Sequence, residues 1–222
     1  MRLITFGDSW TAGHGVDEDI RYKEHAYPTA GCEFIPKLRM ANGWPRWLAN
    51  KLDCAYVNFS ACGRGNHRSL DELKKIIEDN MLKQSDIIIV MFSYPYRDNL
   101  LPIETYEKFE KLLKPYVHFY FNAFYPMFKD EKNFDIKILP NYYINPIGSV
   151  SDILKEYEIK NDIGVWEYGS KKIWNDEIGL NEGDYHPNLK GYKIIAEYIY
   201  DTIKDDYILM FENNPILTKK LL

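Results

Sequence analysis

Two segments near opposite ends of the chain carry side chains that could act together as a nucleophile and its base. Gly7-Asp8-Ser9 follows directly on the apolar run from Arg2 to Phe6, and Asp184-Tyr185-His186-Pro187-Asn188 stands just before the last long periodic segment. A serine hydroxyl is a weak nucleophile until a base takes its proton and donors receive the oxyanion that its attack creates. An imidazole, with an ordinary pKa of about 6.5, is such a base at neutral pH, and a carboxylate beside it fixes its tautomer and stabilises the imidazolium. Ser9, His186 and Asp184 are of these three types, and Gly7 would let the backbone approach a substrate closely. Each segment also has a plainer reading. Gly-Asp-Ser is a turn whose Asp or Ser caps the next helix, and Asp184 and Asn188 are helix-start residues around a surface histidine.

The elements that must position these groups follow from periodicity. Short β-rich runs alternate with segments of helical spacing, the pattern of a parallel sheet with crossover helices. Strands are predicted over residues 2–6, 55–59, 86–92, 116–121 and 135–139. The third, Asp86-Ile-Ile-Ile-Val-Met-Phe92, is almost continuously apolar, as a central strand buried on both faces must be. Helices are predicted over 44–52 (Trp44, Trp47, Leu48 and Leu52 on one face, Pro45 in the first turn), 69–82 (Leu70, Leu73, Ile76, Ile77 and Met81), 103–113, 149–157 and 189–203. Residues 13–43 are polar, contain glycine and lack clear periodicity, and read as an insertion or long loop. The whole reads as one domain over 1–205 with a tail over 206–222 that docks through Tyr207, Ile208, Leu209 and Phe211. In such a sheet Ser9 falls at the carboxyl end of the first strand, where open α/β folds bind their ligands, and a loop before the last helix can bring His186 to the same edge.

Composition narrows the partners. With 27% charged residues and a net charge of −5, the 222-residue chain is a poor match for nucleic acid or an anionic membrane surface. Cys32, Cys54 and Cys62 lack CxxC spacing and suggest neither a disulfide framework nor zinc, which fits a reducing compartment. His14, His25 and His118 lack metal-ligand spacing, so no metal is assigned. No apolar run approaches the ~18 residues that span a bilayer. The first residues lack the regions of a signal peptide, so a cytoplasmic location is expected, with carriage in a phage particle as the other route considered. Among the 18 Tyr and 5 Trp, residues Trp10, Trp44, Trp47, Tyr94, Tyr96 and Tyr125 would suit the faces of sugars or else pack the edge of the core. Arg64, His67 and Arg68 form a basic cluster that would hold an anionic substrate group or simply be a solvated helix start.

Taken together, these segments resemble the SGNH (GDSL-like) hydrolase superfamily. The first block is Gly7-Asp8-Ser9, the second Val57 to Asn66 with Gly63 as its glycine, and the last Asp184 to Asn188 followed by Gly191-Tyr192, in the family's order and across almost the whole chain. The resemblance implies a three-layer α/β/α flavodoxin-like sandwich with a central, mostly parallel sheet of about five strands, and chemistry without metal or organic cofactor. It implies Ser9 as nucleophile, His186 as base, Asp184 as the acid, and the backbone N–H groups of Ser9 and Gly63 as oxyanion donors. Cys62, beside that glycine, reads as a buried apolar residue rather than a thiol nucleophile.

Two positions depart from the family pattern. Where the third block would supply an asparagine donor, the chain reads Met91-Phe92-Ser93-Tyr94-Pro95-Tyr96-Arg97-Asp98. Ser93, Arg97, Asn66 and Asp8 are the candidates for oxyanion or substrate binding there, with Asn122 a further substitute. The usual DxxH spacing fails because residue 183 is glycine. Asp184 lies two positions before His186, on the same side of an extended segment; Glu182, or a Ser-His dyad completed by a backbone carbonyl, are the alternatives. The implied activity is hydrolysis, or transfer, of a small acyl group from an ester, with O-acetyl groups on carbohydrate as first choice. A lipid or thioester acyl hydrolase of the same fold and a weakly active binding or assembly domain are the other readings. The sequence fixes neither the ester nor the oligomeric state.

Overall fold

The computed structural model describes residues 1–13, 43–61, 63–93, 97, 102–123, 149–161, 187 and 189–212. In chain order the described elements are β1 (Arg2–Phe6), α1 (Ser9–Ala12), α2 (Trp44–Lys51), β2 (Ala55–Asn58), α3 (Asn66–Glu78), β3 (Ile87–Phe92), α4 (Pro102–Leu113), β4 (Val117–Asn122), α5 (Val150–Asn161) and α6 (Leu189–Glu212). The strands form one parallel sheet in the order β2-β1-β3-β4, with Ile4 paired to Val57 on one side and Ile88 on the other. That order is the one found in flavodoxin-like doubly wound sheets. The strand expected over 135–139 lies outside the described residues.

Strand alternation divides the apolar side chains between two cores. On one face Leu3, Ile87, Ile89, Met91 and Phe121 meet Trp44 and Leu48 of α2, Leu154 of α5, and Tyr192, Ile195 and Ile199 of α6. On the other, Ile4, Phe6, Ile88, Val90 and Phe92 meet Leu70, Leu73 and Ile76 of α3 and Tyr106, Phe109 and Leu113 of α4. β3 is buried at all six positions, as its unbroken apolar run requires. At the amino edge Asp86, fully buried, is gripped by Arg2 through Nε to Oδ1 at 3.0 Å and Nη2 to Oδ2 at 2.6 Å, which pins β1 to β3.

The chain leaves β1 toward the α2 face and leaves β3 toward the α3–α4 face, so the loops at their carboxyl ends diverge. Such a switch point opens a crevice at that edge of the sheet, and Gly7-Asp8-Ser9 and Ser93 are the residues that flank it.

Several helix ends differ from expectation; α5, for one, runs to Asn161 rather than 157. α3 begins at Asn66 rather than 69 and ends at Glu78 rather than 82. Gly65, in extended conformation, starts it; at its end Asn80 turns left-handed (φ 54°) and the Met81 N–H bonds the Ile76 carbonyl, so Met81 leaves the buried face for solvent. α6 continues to Glu212, so the expected tail over 206–222 begins as helix; no Gly or Pro interrupts 192–212, and Pro215 is the first to follow. Among the described residues no helix is long and apolar enough to cross a membrane.

Candidate active site

The turn after β1 is built around Asp8. Its carboxylate Oδ1 accepts the Trp10 N–H at 3.0 Å, and its carbonyl accepts those of Thr11 and Ala12 at 3.2 and 2.9 Å. This is an N-cap on a single helical turn, closed by Gly13 in left-handed conformation with its N–H on the Ser9 carbonyl. Ser9 is the first residue of that turn. Its own N–H and its hydroxyl take no partner among the described residues, while its three successors all bond to Asp8.

Gly7 is required for a different reason from the one its sequence suggested. A Cβ there would run into Thr11 Oγ1, lie 2.8 Å from Thr11 Cβ and 3.1 Å from the Met91 carbonyl oxygen. The space a side chain would need is filled by α1 packing against β3, not left open for a substrate.

Asn58, at the carboxyl end of β2, stitches the neighbouring loop to this turn. Its Oδ1 accepts the Thr5 hydroxyl and the Ser60 N–H, both at 3.0 Å, and its Nδ2 donates to the Thr11 carbonyl at 2.8 Å. Backbone bonds from Phe59 N to Thr5 O and from Ala61 N to Gly7 O extend the seam. In the sequence Asn58 appears only as part of the second block; a polar residue ending a strand and followed by serine was the available signal. Asn58→Ala would leave three buried polar groups unpaired and is expected to cost about 2–4 kcal/mol of stability. Urea unfolding of the two proteins measures it, and coincident midpoints would rule out the stitching role.

Gly63, past the seam, is exposed, has φ +67°, and its two chain neighbours aside has no atom of the described residues within 4 Å of where a Cβ would stand. This left-handed turn favours glycine, and its N–H has no partner among the described residues. The neighbouring basic cluster is partly dismantled. Arg64 is buried, with Nη1 donating to the Phe59 carbonyl at 2.7 Å and facing Glu72 at 3.6 Å, whereas Arg68 is exposed and His67 half-buried.

The loop after β3 holds the remaining candidates. Ser93, buried, donates its hydroxyl proton to Asp8 Oδ2 at 2.8 Å. Its peptide is clamped by Asn66, whose Oδ1 accepts the Ser93 N–H at 2.8 Å and whose Nδ2 donates to the Ser93 carbonyl at 3.4 Å. Arg97 Nη1 donates to Ser93 Oγ at 3.2 Å and stands 3.5 Å from Asp8 Oδ2. Burial pushes the Asp8 carboxyl up, opposed by the hydrogen bonds from Ser93 and Trp10 and by the Arg97 charge. Thus Asp8, fully buried, faces the protein interior rather than a substrate, and the protons of Ser93 and the amide of Asn66 are committed to the scaffold. Asn122 is buried at the end of β4, two strands and about 10 Å from β1.

His186 and Asp184 lie outside the described residues, as do Glu182 and Cys62. The start of α6 bears on them. Lys193 Nζ sits 4.4 Å from the Trp47 ring centroid, and Lys51 Nζ lies 3.3 Å from Glu197 Oε1. α6 therefore runs alongside α2 in the same direction, from carboxyl edge to amino edge. Its first turn stands level with Gly43, which packs on Gly13 at the end of the Ser9 turn. His186 precedes Leu189 by three residues, a reach of at most about 10 Å.

The aromatic residues divide. Trp10 and Trp44 are core side chains, 1% and 0% exposed, and Trp47 packs on the α2–α6 flank beneath Lys193, so none of the three offers a face for sugar in this crevice. Tyr94, Tyr96 and Tyr125 lie outside the described residues.

Fold and site define a doubly wound parallel α/β protein with a serine-bearing turn at the switch point of its sheet. No family model matches the chain, and no curated protein matches its sequence. Among solved structures it is similar to a member of the lipolytic protein G-D-S-L family from Veillonella parvula (16% identity, TM-score 0.47, 92% of this chain and 98% of that one). It is also similar to a lipase from a goat rumen metagenome (14%, 0.48, 90% and 96%). A third likeness is to the C-terminal catalytic domain of peptidoglycan O-acetyltransferase A from Streptococcus pneumoniae (12%, 0.43, 92% and 87%).

Proposed function

We propose that this protein is a serine esterase that cleaves a small acyl ester through Ser9. The observation that carries the reading is the state of the Ser9 turn: its N–H and hydroxyl at the crevice take no partner among the described residues, while the three following backbone N–H groups are all held by Asp8. A turn that holds the backbone N–H groups of Trp10, Thr11 and Ala12 on Asp8 but takes up neither of these two at Ser9 leaves them available for a reacting carbonyl.

In this reading Ser9 Oγ attacks the ester carbonyl carbon while His186 takes its proton. The tetrahedral intermediate expels the alcohol, which receives that proton from the imidazolium, and leaves an acyl-serine. Water, deprotonated by His186, then releases the acid and restores Ser9. The N–H groups of Ser9 and Gly63 receive the oxyanion, and Asp184 orients the imidazole. The left-handed turn at Gly63 supports its part, and the start of α6 at the carboxyl edge supports that of His186. O-acetyl groups on carbohydrate remain the substrate of first choice, a choice that the buried Trp10 and Trp44 do not strengthen.

A serine-directed fluorophosphonate and a series of p-nitrophenyl esters from two to eight carbons test this reading. Stoichiometric labelling confined to the Ser9 peptide is expected, with rates falling as the acyl chain lengthens and acetate released from an acetylated polysaccharide. Neither labelling nor hydrolysis above buffer would leave a binding or assembly domain; faster turnover of the eight-carbon ester would mean a lipid acyl hydrolase.

A further inference from the structure

We infer that Arg97 is a third oxyanion donor of this site, aimed into the crevice by a buried Asp8–Ser93 pair; the inference rests on the esterase reading above. Two backbone N–H groups leave a tetrahedral oxyanion able to accept a further hydrogen bond, and the candidates at the carboxyl edge can be compared atom by atom. The Ser93 proton is on Asp8, both ends of the Asn66 amide are on the Ser93 peptide, and Asn122 is buried two strands from β1. Arg97 differs from all three. One nitrogen, Nη1, is anchored at 3.2 Å to Ser93 Oγ and 3.5 Å from Asp8 Oδ2, while Nε and Nη2 bond nothing among the described residues. Its side chain is 41% exposed, against 0% for Asp8, so the guanidinium reaches from the floor of the crevice toward solvent.

The anchoring matters as much as the charge. Asp8 immediately precedes the nucleophile and caps its turn with one carboxylate oxygen while accepting Ser93 with the other. The guanidinium is thus tied to the nucleophile's own turn through two hydrogen bonds, and its planar fork loses little further freedom on meeting a substrate oxygen. A cation held this way attracts a full negative oxygen more than a neutral carbonyl oxygen, which is the differential stabilisation that raises turnover rather than affinity. The competing role is structural, with Arg97 serving only as counter-charge to a buried carboxylate.

Steady-state hydrolysis of p-nitrophenyl acetate by wild type, Ser9→Ala, Arg97→Ala and Arg97→Lys separates the two roles, with urea midpoints measured in parallel. The expected result for Arg97→Ala is a kcat lower by about 10²- to 10³-fold with KM within about twofold. Arg97→Lys should fall between, and millimolar guanidinium should restore part of the Arg97→Ala rate. An unchanged kcat for Arg97→Ala beside a dead Ser9→Ala would overturn the inference and leave the esterase reading standing. A rise in KM alone would instead make Arg97 a ground-state binder. A lowered urea midpoint with unchanged kcat would reduce it to a counter-ion. An inactive wild type, or a Ser9→Ala protein as active as wild type, would remove the esterase reading and this inference with it.

Discussion

Ser9→Ala is expected to lower kcat for p-nitrophenyl acetate by about 10⁴-fold or more while leaving the free energy of urea unfolding within about 0.5 kcal/mol of wild type. The loss is large because the remaining groups can bind the ester and polarise its carbonyl but have no atom to form the acyl intermediate. The stability is preserved because the hydroxyl makes no hydrogen bond among the described residues, and the cap of its turn belongs to Asp8. Alanine also favours the helical turn at least as well as serine. Rates for the variant within tenfold of wild type would mean that the reaction belongs elsewhere on the chain or to a contaminant. Loss of both rate and midpoint would show that the hydroxyl serves the fold, a role the hydrogen bonds give it no share in.

Much of this architecture is legible in the sequence because it is written locally. The unbroken apolar run of β3, the alternation that sorts Ile4 and Leu3 to opposite cores, and the spacing of Leu70, Leu73 and Ile76 are period-2 and period-3.6 signals that need no knowledge of partners. The position of Ser9 at the carboxyl edge follows from the same signals plus the parallel topology. Harder to read are relations between loops far apart in the chain. Asp8 and Ser93 meet across 85 positions, Thr5 and Asn58 across 53, and nothing in either neighbourhood announces the other. Hence the polar residues offered as substrate contacts, Asp8, Ser93 and Asn66, are found bonded to one another or to backbone, and Arg97 is left as the one of that group with open donors among the described residues. Helix ends shifted where a single backbone angle decided them, as at Asn80, a choice that composition does not encode. Trp10 and Trp44 illustrate the same limit. An indole beside a presumed nucleophile invites a ligand, but whether it faces crevice or core depends on the helix that carries it.

Gly7→Ala is expected to destabilise the fold by about 3 kcal/mol or more. The methyl would collide with the Thr11 side chain on one side and stand 3.1 Å from the Met91 carbonyl oxygen on the other. Thr11 is fully buried, and Met91 O belongs to the central strand, so neither neighbour withdraws without shifting α1 or β3. The site would suffer with the fold, because any outward movement of α1 carries Ser9 and strains the Asp8–Ser93 bond. A double-mutant cycle identifies the cause. Thr11 Oγ1 is buried and without a hydrogen-bond partner among the described residues, so Thr11→Ala alone should cost little in bonding, and combined with Gly7→Ala it should recover about half of the loss. Recovery stays partial because the residue 11 Cβ, at 2.8 Å, and the Met91 oxygen remain in place. Additive urea-unfolding energies for the two substitutions would show that the glycine is not required by this packing, and its place beside the nucleophile would then have to be explained from the substrate side.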